Sequence, residues 1–209
     1  LGGAGTGKTV VAMHRAKHLA RTLCANQDDR ILFTTYTANL AQNVDQNMTN
    51  LCGPEKEKIE VVHIHAWAAR FMKKHGVEFK IATNEEIDGC WERAILEAED
   101  LSFDLGFLKK EWEQVFQSNG LKGRADYLSV SRAGRGQTLN RLQRSQVWKI
   151  FANFMNEMKA IGKREWLNVI QDTRRFIEQK KPALPYRSVI VDEVQDFHTE
   201  EWKLINAIA

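Results

Sequence analysis

Residues 2–9 read Gly2-Gly3-Ala4-Gly5-Thr6-Gly7-Lys8-Thr9, which fits the pattern G-x-x-x-x-G-K-[ST] in full. In this pattern the glycines let consecutive backbone N–H groups turn toward phosphate oxygens. Lys8 is then placed to reach the β- and γ-phosphates of a nucleotide, and the Thr9 hydroxyl to bind Mg²⁺. A helix predicted over residues 8–23 directs the positive end of its dipole at the same phosphates. The stretch predicts a nucleotide-phosphate site, and a glycine-rich turn without a ligand is the alternative.

The position of this loop bears on what kind of chain this is. A phosphate loop lies between a strand and a helix, and here only Leu1 precedes it. The sequence does not begin with Met, and residues 200–209 stop within an apolar-periodic stretch that carries no cap. We therefore expect the chain to be part of a longer protein.

The composition limits the class of protein. A chain of 209 residues with 43% hydrophobic residues can form one domain or two small ones. Its three cysteines, Cys24, Cys52 and Cys90, are too far apart for a metal-binding clip and are expected to be reduced thiols in the core. Few cysteines and the lack of a signal peptide favour a cytoplasmic protein. No run of 18 apolar residues is present, so we expect no membrane-spanning segment.

Positive charge is concentrated in one part of the sequence. The whole chain has a net charge of +3, but residues 121–150 carry seven basic residues and only Asp126 as an acid, which is +6. Such a local basic stretch indicates a polyanionic partner, and a solvated helix face is the alternative. The seven residues are Lys122, Arg124, Arg132, Arg135, Arg141, Arg144 and Lys149.

The apolar patterning divides the chain into three parts. Up to residue 83, helices and strands alternate, with strands predicted at 30–36 and 59–64. From residue 84 to 181 only helical periodicity is present, and an apolar strand returns at 188–191. This order predicts an α/β protein with a parallel sheet and a helical insertion. Helices are predicted at 8–23, 38–48, 66–74, 85–99, 108–117, 138–161 and 163–180.

The returning strand runs into acidic residues. Asp192 and Glu193 follow Val189-Ile190-Val191 directly. An NTPase needs an acid at the end of a strand to hold Mg²⁺ through water, and a base to orient the attacking water. Glu193 also favours hydrolysis over phosphate transfer to a small acceptor. An acidic pair that merely ends a strand is the alternative.

Four segments, in order, resemble motifs of superfamily 1 helicases of the UvrD/Rep type. The first is the glycine-rich stretch 2–9, similar to motif I, and the second is Thr35-Tyr36-Thr37, similar to motif Ia. The third is His63-Ile64-His65-Ala66-Trp67-Ala68-Ala69-Arg70, similar to motif Ib, and the fourth is Asp192-Glu193-Val194-Gln195-Asp196, similar to the D-E-x-Q-D of motif II. The insertion, with Arg132-Ala133-Gly134-Arg135-Gly136, resembles the helical 1B subdomain of these proteins, so the likeness covers nearly the whole chain.

The resemblance implies a P-loop NTPase of RecA-like fold. Residues 1–83 and 183–209 would form a RecA-like 1A domain, and 84–182 the 1B insertion. ATP and Mg²⁺ would be the cofactors, with Lys8 and Thr9 on the phosphates and metal and Asp192 as a second-sphere Mg²⁺ partner. Glu193 would activate water, and Gln195 would sense the γ-phosphate and couple it to DNA.

The same resemblance implies a DNA track at Thr35, Tyr36, Thr37 and His65. A hydroxyl such as that of Thr37 can bond a phosphate oxygen, and an aromatic ring such as Tyr36 can stack on any base. A half-buried strand aromatic and a helix-start histidine are the alternatives for Tyr36 and His65.

Arg132 and Arg135 in the insertion are expected to bind DNA phosphates, because guanidinium groups fit phosphates bidentately. The alternative is pairing with acids such as Glu111 or Glu113.

The implied activity is that of an ATP-dependent 3′–5′ DNA helicase or translocase, with DNA repair as a setting. Its partner would be single-stranded DNA or a single/double-strand junction. The alternatives are an ATP-gated nucleic-acid-binding switch and the motor subunit of a helicase-nuclease. This stretch alone, without a second RecA-like domain and its arginine finger, is expected to hydrolyse ATP poorly and not to unwind DNA.

Overall fold

A computed structural model of the chain describes residues 7–97, 103–132 and 138–209. Its strands are β1 (Arg30–Thr35), β2 (Ile59–His63) and β3 (Tyr186–Val191). Its helices are α1 (Lys8–Leu23), α2 (Ala38–Leu51), α3 (Ile64–Lys74), α4 (Asn84–Leu96), α5 (Leu105–Glu111), α6 (Arg124–Ser129), α7 (Arg141–Ala160), α8 (Trp166–Lys180) and α9 (Thr199–Ile208). A π-helical turn, Trp112–Gln117, follows α5, and short 3-10 turns occur at Pro54–Lys58 and Val194–Asp196.

The chain forms two compact units. One comprises Leu1–Val77 with Val169–Ala209 and is called here the sheet unit. The other is Glu78–Asn168, whose described elements are helical apart from a single bridge between Ile81 and Arg164, and is called the helical unit.

The sheet unit is built on three parallel strands in the order β2-β1-β3. Phe33 on β1 lies opposite Val61 on β2 and Ile190 on β3. The central strand is buried on both faces, as its unbroken run of Ile31, Leu32 and Phe33 predicts for a parallel sheet covered by helices. The predicted α/β class with a parallel sheet is confirmed, and three strands belong to the sheet within the described ranges.

Helix α1 packs beside this sheet through one apolar face. Met13, Ala16, Leu19 and Ala20 recur at helical spacing and are buried in a common cluster with Phe33 of β1. Helix α2 starts where Thr37 accepts a hydrogen bond from the Leu40 N–H at 3.3 Å. These two helices begin directly at the predicted motifs, so the sheet fixes where the motif residues lie.

The helical unit has an aromatic core. Trp91 stacks on Phe154 with ring centroids 4.0 Å apart, and Trp112 meets Phe151 edge-on at 5.0 Å. Both tryptophans are buried and therefore pack in the core rather than stacking on bases. Trp166 differs, because 40% of its surface is exposed.

The two compact units divide after Val77 and after Asn168, and the predicted domain boundaries at 83 and 182 stay a prediction. Most of α8 belongs to the sheet unit, because Arg174 pairs with Glu200 of α9 and Phe176 meets Phe71 of α3. The assignment of the units as 1A and 1B stays a prediction. In the part of the chain that the structure describes, no helix is long and apolar enough to cross a membrane.

Candidate functional site

Thr9 and Asp192, the two residues predicted to bind Mg²⁺, meet at the carboxyl edge of the sheet. Thr9 lies in the first turn of α1, and Asp192 follows the last residue of β3. The Thr9 hydroxyl donates a 2.6 Å hydrogen bond to Oδ2 of Asp192, although 183 positions separate the two residues. Asp192 is 5% exposed, and its N–H bonds to the Thr34 carbonyl at 3.0 Å, which extends the β1–β3 ladder by one residue. The fold therefore joins the two sequence motifs.

The described end of the phosphate loop has the backbone that the motif requires. Gly7 has φ 73° and ψ 14°, a left-handed conformation that glycine adopts without strain. Its carbonyl accepts the Val11 N–H at 3.0 Å, which starts α1 with Lys8 as the first helical residue. Gly2, Gly3, Ala4, Gly5 and Thr6 lie outside the described residues.

The predicted catalytic pair, Glu193 and Gln195, lies next to Asp192. Glu193 has φ 51° and ψ 48°, and a left-handed backbone at a residue other than glycine costs roughly 1–3 kcal/mol. The Gln195 amide donates to Oε2 of Glu193. Strained backbone of this kind is common at functional sites. It persists only where the surrounding structure holds the residue in place.

Thr9 and Asp192 are suited to hold Mg²⁺. Both offer oxygen, the ligand that this cation prefers, and Mg²⁺ usually takes its remaining ligands from water and nucleotide phosphates. The Thr9 hydroxyl uses its hydrogen for Asp192, which leaves oxygen lone pairs for a metal. Among residues 7–97, 103–132 and 138–209, no three His, Cys, Asp or Glu side chains are grouped as a metal site of their own.

The predicted DNA-track threonines differ in how their hydroxyls are used. Thr35 is buried, and its hydroxyl donates to the Thr37 carbonyl at 2.9 Å, so it stabilises the turn after β1. Thr37 is exposed. Its oxygen caps α2 by accepting from Leu40, which leaves the hydroxyl hydrogen to donate to a phosphate oxygen.

Tyr36 and His65 lie together in an aromatic cluster. The Tyr36 ring meets His65 edge-on at 6.1 Å, Phe197 at 5.7 Å and His198 at 6.3 Å. Nε2 of His65 lies 2.9 Å from Oε1 of Glu201, a buried acid in the first turn of α9. Glu201 is a site residue that was not predicted from the sequence. Its signal was its place three residues after the N-cap, where glutamate commonly bonds back to the N-cap N–H.

Arg132 forms the ion pair with Glu111 that the sequence left open as the alternative to DNA binding. Its Nε and Nη2 donate to the two oxygens of Glu111 at 2.6 and 2.7 Å, and the side chains are 5% and 2% exposed. The Tyr127 hydroxyl donates to the same carboxylate at 3.0 Å, and burial together with the Glu111 charge raises the pKa of Tyr127. A buried carboxylate needs a counter-charge, and Arg132 supplies it to Glu111. Binding of DNA phosphates by Arg132 stays a prediction. Arg135 lies outside the described residues.

A parallel sheet with a phosphate-loop helix and an acid at its carboxyl edge defines the class of mixed α/β nucleotide-binding proteins. The family model of the UvrD/REP helicase N-terminal domain matches residues 1–209, and the chain belongs to this family. Membership makes it a helicase domain of the P-loop NTPase class, an ATP-binding and DNA-binding hydrolase family. A search of curated proteins gives no match to this chain.

Proposed function

We propose that the chain is the ATP-binding part of a helicase or translocase that moves 3′–5′ along single-stranded DNA. The sheet unit would be its RecA-like 1A domain and the helical unit its 1B insertion. The observation that carries the proposal is the 2.6 Å hydrogen bond between Thr9 and Asp192, because it joins the phosphate loop to the acidic strand end. The family match supports the same class of activity.

In this proposal, the residues at the carboxyl edge divide the work of hydrolysis. The backbone of residues 2–7 and the Lys8 ammonium group hold the phosphates. Mg²⁺, when bound at Thr9 and Asp192, offsets negative charge on the phosphate oxygens. Glu193 orients the attacking water and accepts its proton, and Gln195 reports the presence of the γ-phosphate through its contact with Glu193.

DNA would bind at the same edge of the sheet. Tyr36 and Thr37 follow the end of β1, and His65 lies in the first turn of α3, directly after β2. An aromatic face can stack on any base, and a hydroxyl can donate a hydrogen bond to any phosphate oxygen. Both contacts suit movement along DNA of any sequence. Because parallel strands end at one edge, the DNA track and the nucleotide site are neighbours in the sheet unit.

The test is ATP turnover by the full-length protein with and without a single-stranded oligonucleotide, compared with the Glu193→Gln variant. We expect DNA to stimulate turnover, and Glu193→Gln to lower it about 100-fold or more, because a positioned base contributes at least that factor. Nucleotide affinity is expected to stay the same, since glutamine keeps the shape of the side chain. Glu85→Gln, an exposed acid on α4, is the matched control and is expected to behave as the unmodified protein.

Two results would contradict the proposal. Full turnover in Glu193→Gln would exclude this residue as the base, and turnover indifferent to DNA would favour an ATP-gated switch. Polarity is tested separately with duplexes that carry either a 3′ or a 5′ single-stranded tail, and unwinding from the 5′ tail alone would reverse the proposed direction.

A further inference from the structure

We propose that Glu201 is a positioning residue that couples the nucleotide site to the DNA track by holding in place His65 and His198, two residues that contact the Tyr36 ring. The inference rests on the proposed function, because it assigns Tyr36 to DNA and Asp192 to the nucleotide. It adds a residue that lies outside the four motifs and acts through His65 and His198.

One carboxylate connects two separate segments. Oε1 of Glu201 lies 2.9 Å from Nε2 of His65, in the first turn of α3. Oε2 accepts the His198 N–H at 2.7 Å, in the segment that follows the acidic motif. Glu201 itself is 1% exposed, so the carboxylate depends on these partners in place of water.

Both segments that Glu201 connects contribute residues that contact the Tyr36 ring. His65, Phe197 and His198 all meet the ring edge-on, at 6.1, 5.7 and 6.3 Å. The orientation of an aromatic ring that packs against three other rings depends on the positions of those rings. A shift of His65 or of His198 therefore changes the surface that Tyr36 offers to a base.

The segment from Asp192 to His198 is short and bonded to itself, so movement at one end reaches the other. The Asp196 N–H bonds to the Glu193 carbonyl at 3.1 Å, and the Phe197 N–H to the Val194 carbonyl at 3.4 Å. Phe197 is buried, which anchors the end of this turn beside Tyr36. Displacement of Glu193 by a γ-phosphate would pass along this turn to His198 and, through Glu201, to His65.

The adjacent acid provides an internal comparison. Glu200 is fully buried on the same turn of α9, but its carboxylate accepts from Arg174 at 3.2 Å and Lys203 at 2.6 Å. The rings that meet Tyr36 belong to His65, Phe197 and His198, and Glu200 bonds to Arg174 and Lys203 instead. Glu200 thus shares the burial and charge of Glu201 but lacks its contact with the DNA-track residues.

The experiment measures the coupling factor between the two ligands in the full-length protein. This factor is the ratio of the Kd for a fluorescent single-stranded oligonucleotide without and with a non-hydrolysable ATP analogue and Mg²⁺. Couplings of this kind are typically about 5–150-fold, and the same factor must appear when analogue affinity is measured with and without DNA. We expect Glu201→Gln to bring it close to 1, while Kd for the analogue alone is unchanged. His65→Gln should lower the coupling factor as far.

The glutamine variant keeps an acceptor for the His198 N–H, so the fold is retained while the carboxylate that faces His65 is lost. Glu200→Gln is expected to keep the full coupling factor, even if it lowers stability. The double variant His65→Gln, Glu201→Gln should lose no more than either single variant, because the two residues act as one link. Equal loss in Glu200→Gln, or multiplying losses in the double variant, would overturn the proposal.

The failure of the link is distinguishable from that of the proposed function. If the unmodified protein shows coupling and Glu201→Gln retains it, the link is wrong and the proposed function stands. If the unmodified protein shows neither DNA-stimulated turnover nor coupling, the proposed function is overturned and the link with it.

Discussion

The sequence around Arg132 indicates one role for this residue, and its partner in the structure indicates another. Its neighbours in sequence, two glycines and Arg135, are typical of a phosphate-binding loop. Glu111, with which it pairs in the structure, is 21 positions away and buried at the end of α5. The sequence offers Glu111 as one alternative partner, but local composition cannot decide between this acid and DNA, because the pairing depends on where α5 and α6 lie in the folded unit.

We predict that Arg132→Met lowers the stability of the helical unit by about 3–5 kcal/mol, because it leaves the buried Glu111 charge unpaired. Hydrogen exchange of the amides of α7 in the full-length protein measures this. Arg124→Met, at the exposed start of α6, is the matched control and should change stability little. Adding Glu111→Leu to Arg132→Met should recover much of the loss, since an apolar pair needs no counter-charge. A loss of DNA affinity without a loss of protection would return Arg132 to the DNA interface.

Among the elements, those whose ends carry local signals were predicted well. Helix α1 spans Lys8–Leu23, matching the predicted 8–23, because a left-handed glycine starts it and a single apolar face runs its length. Helix α7 begins at Arg141 rather than at 138, since Asn140 accepts the Gln143 N–H as its N-cap. Helix α6 was not predicted, because six residues are too few to show a 3.6-residue period.

The contacts of the candidate site also differ in whether the sequence could predict them. The meeting of Thr9 and Asp192 could be predicted, because two motifs that follow parallel strands and a phosphate loop share one edge of the sheet. The contacts of Glu201 could not, since a glutamate three residues after an N-cap usually bonds only to its own helix. Which acid of the pair Glu200 and Glu201 faces His65 depends on how α9 packs against the sheet unit.

Glu165, which directly precedes α8, is a half-buried acid of the helical unit. Trp112 and Gln117 both donate to its Oε2, at 3.1 and 2.8 Å. Burial raises the pKa of Glu165 to about 7, with a further rise from the Glu113 charge, whereas these two hydrogen bonds act to lower it. The folded state therefore binds this proton more tightly than the unfolded state does.

From this we predict a pH-dependent stability of the helical unit. The stabilising contribution of Glu165 is fully present below about pH 4.5 and is lost as the pH rises through about 7. The pKa difference corresponds to about 3 kcal/mol. Hydrogen exchange from pH 5 to 8 should show this loss in the unmodified protein and not in Glu165→Gln, which imitates the protonated acid. Glu113→Gln should move the transition to lower pH, and an unchanged pH dependence in Glu165→Gln would contradict the assignment.

At the scale of the whole molecule, the fold redistributes the charge that the sequence concentrates in residues 121–150. Arg132 is neutralised by Glu111, and Arg144 donates to the carbonyls of Tyr127, Leu128 and Val130. Both arginines thus hold the helical unit together. The exposed basic residues described in this stretch are Lys122, Arg124, Arg141 and Lys149.

These four side chains lead to a prediction about salt dependence. Each contact between a basic group and a single-stranded DNA phosphate contributes roughly −0.7 to the slope of log K against log salt concentration. If all four bind phosphates, changing them together to glutamine should make the slope less steep by about 3. Fluorescence anisotropy of a labelled oligonucleotide, titrated between low and physiological salt, measures the slope in the full-length protein.

The control removes the same charge elsewhere. Lys73, Lys74, Lys180 and Lys181 are exposed at the carboxyl ends of α3 and α8. Because α3 follows β2 and runs back along the sheet, Lys73 and Lys74 lie away from the carboxyl edge that holds Tyr36 and Thr37. Glutamine at these four positions should leave the slope unchanged, although net charge falls equally. An equal loss in both variants would mean that DNA responds to the overall charge of the protein, and that the basic stretch is a solvated surface.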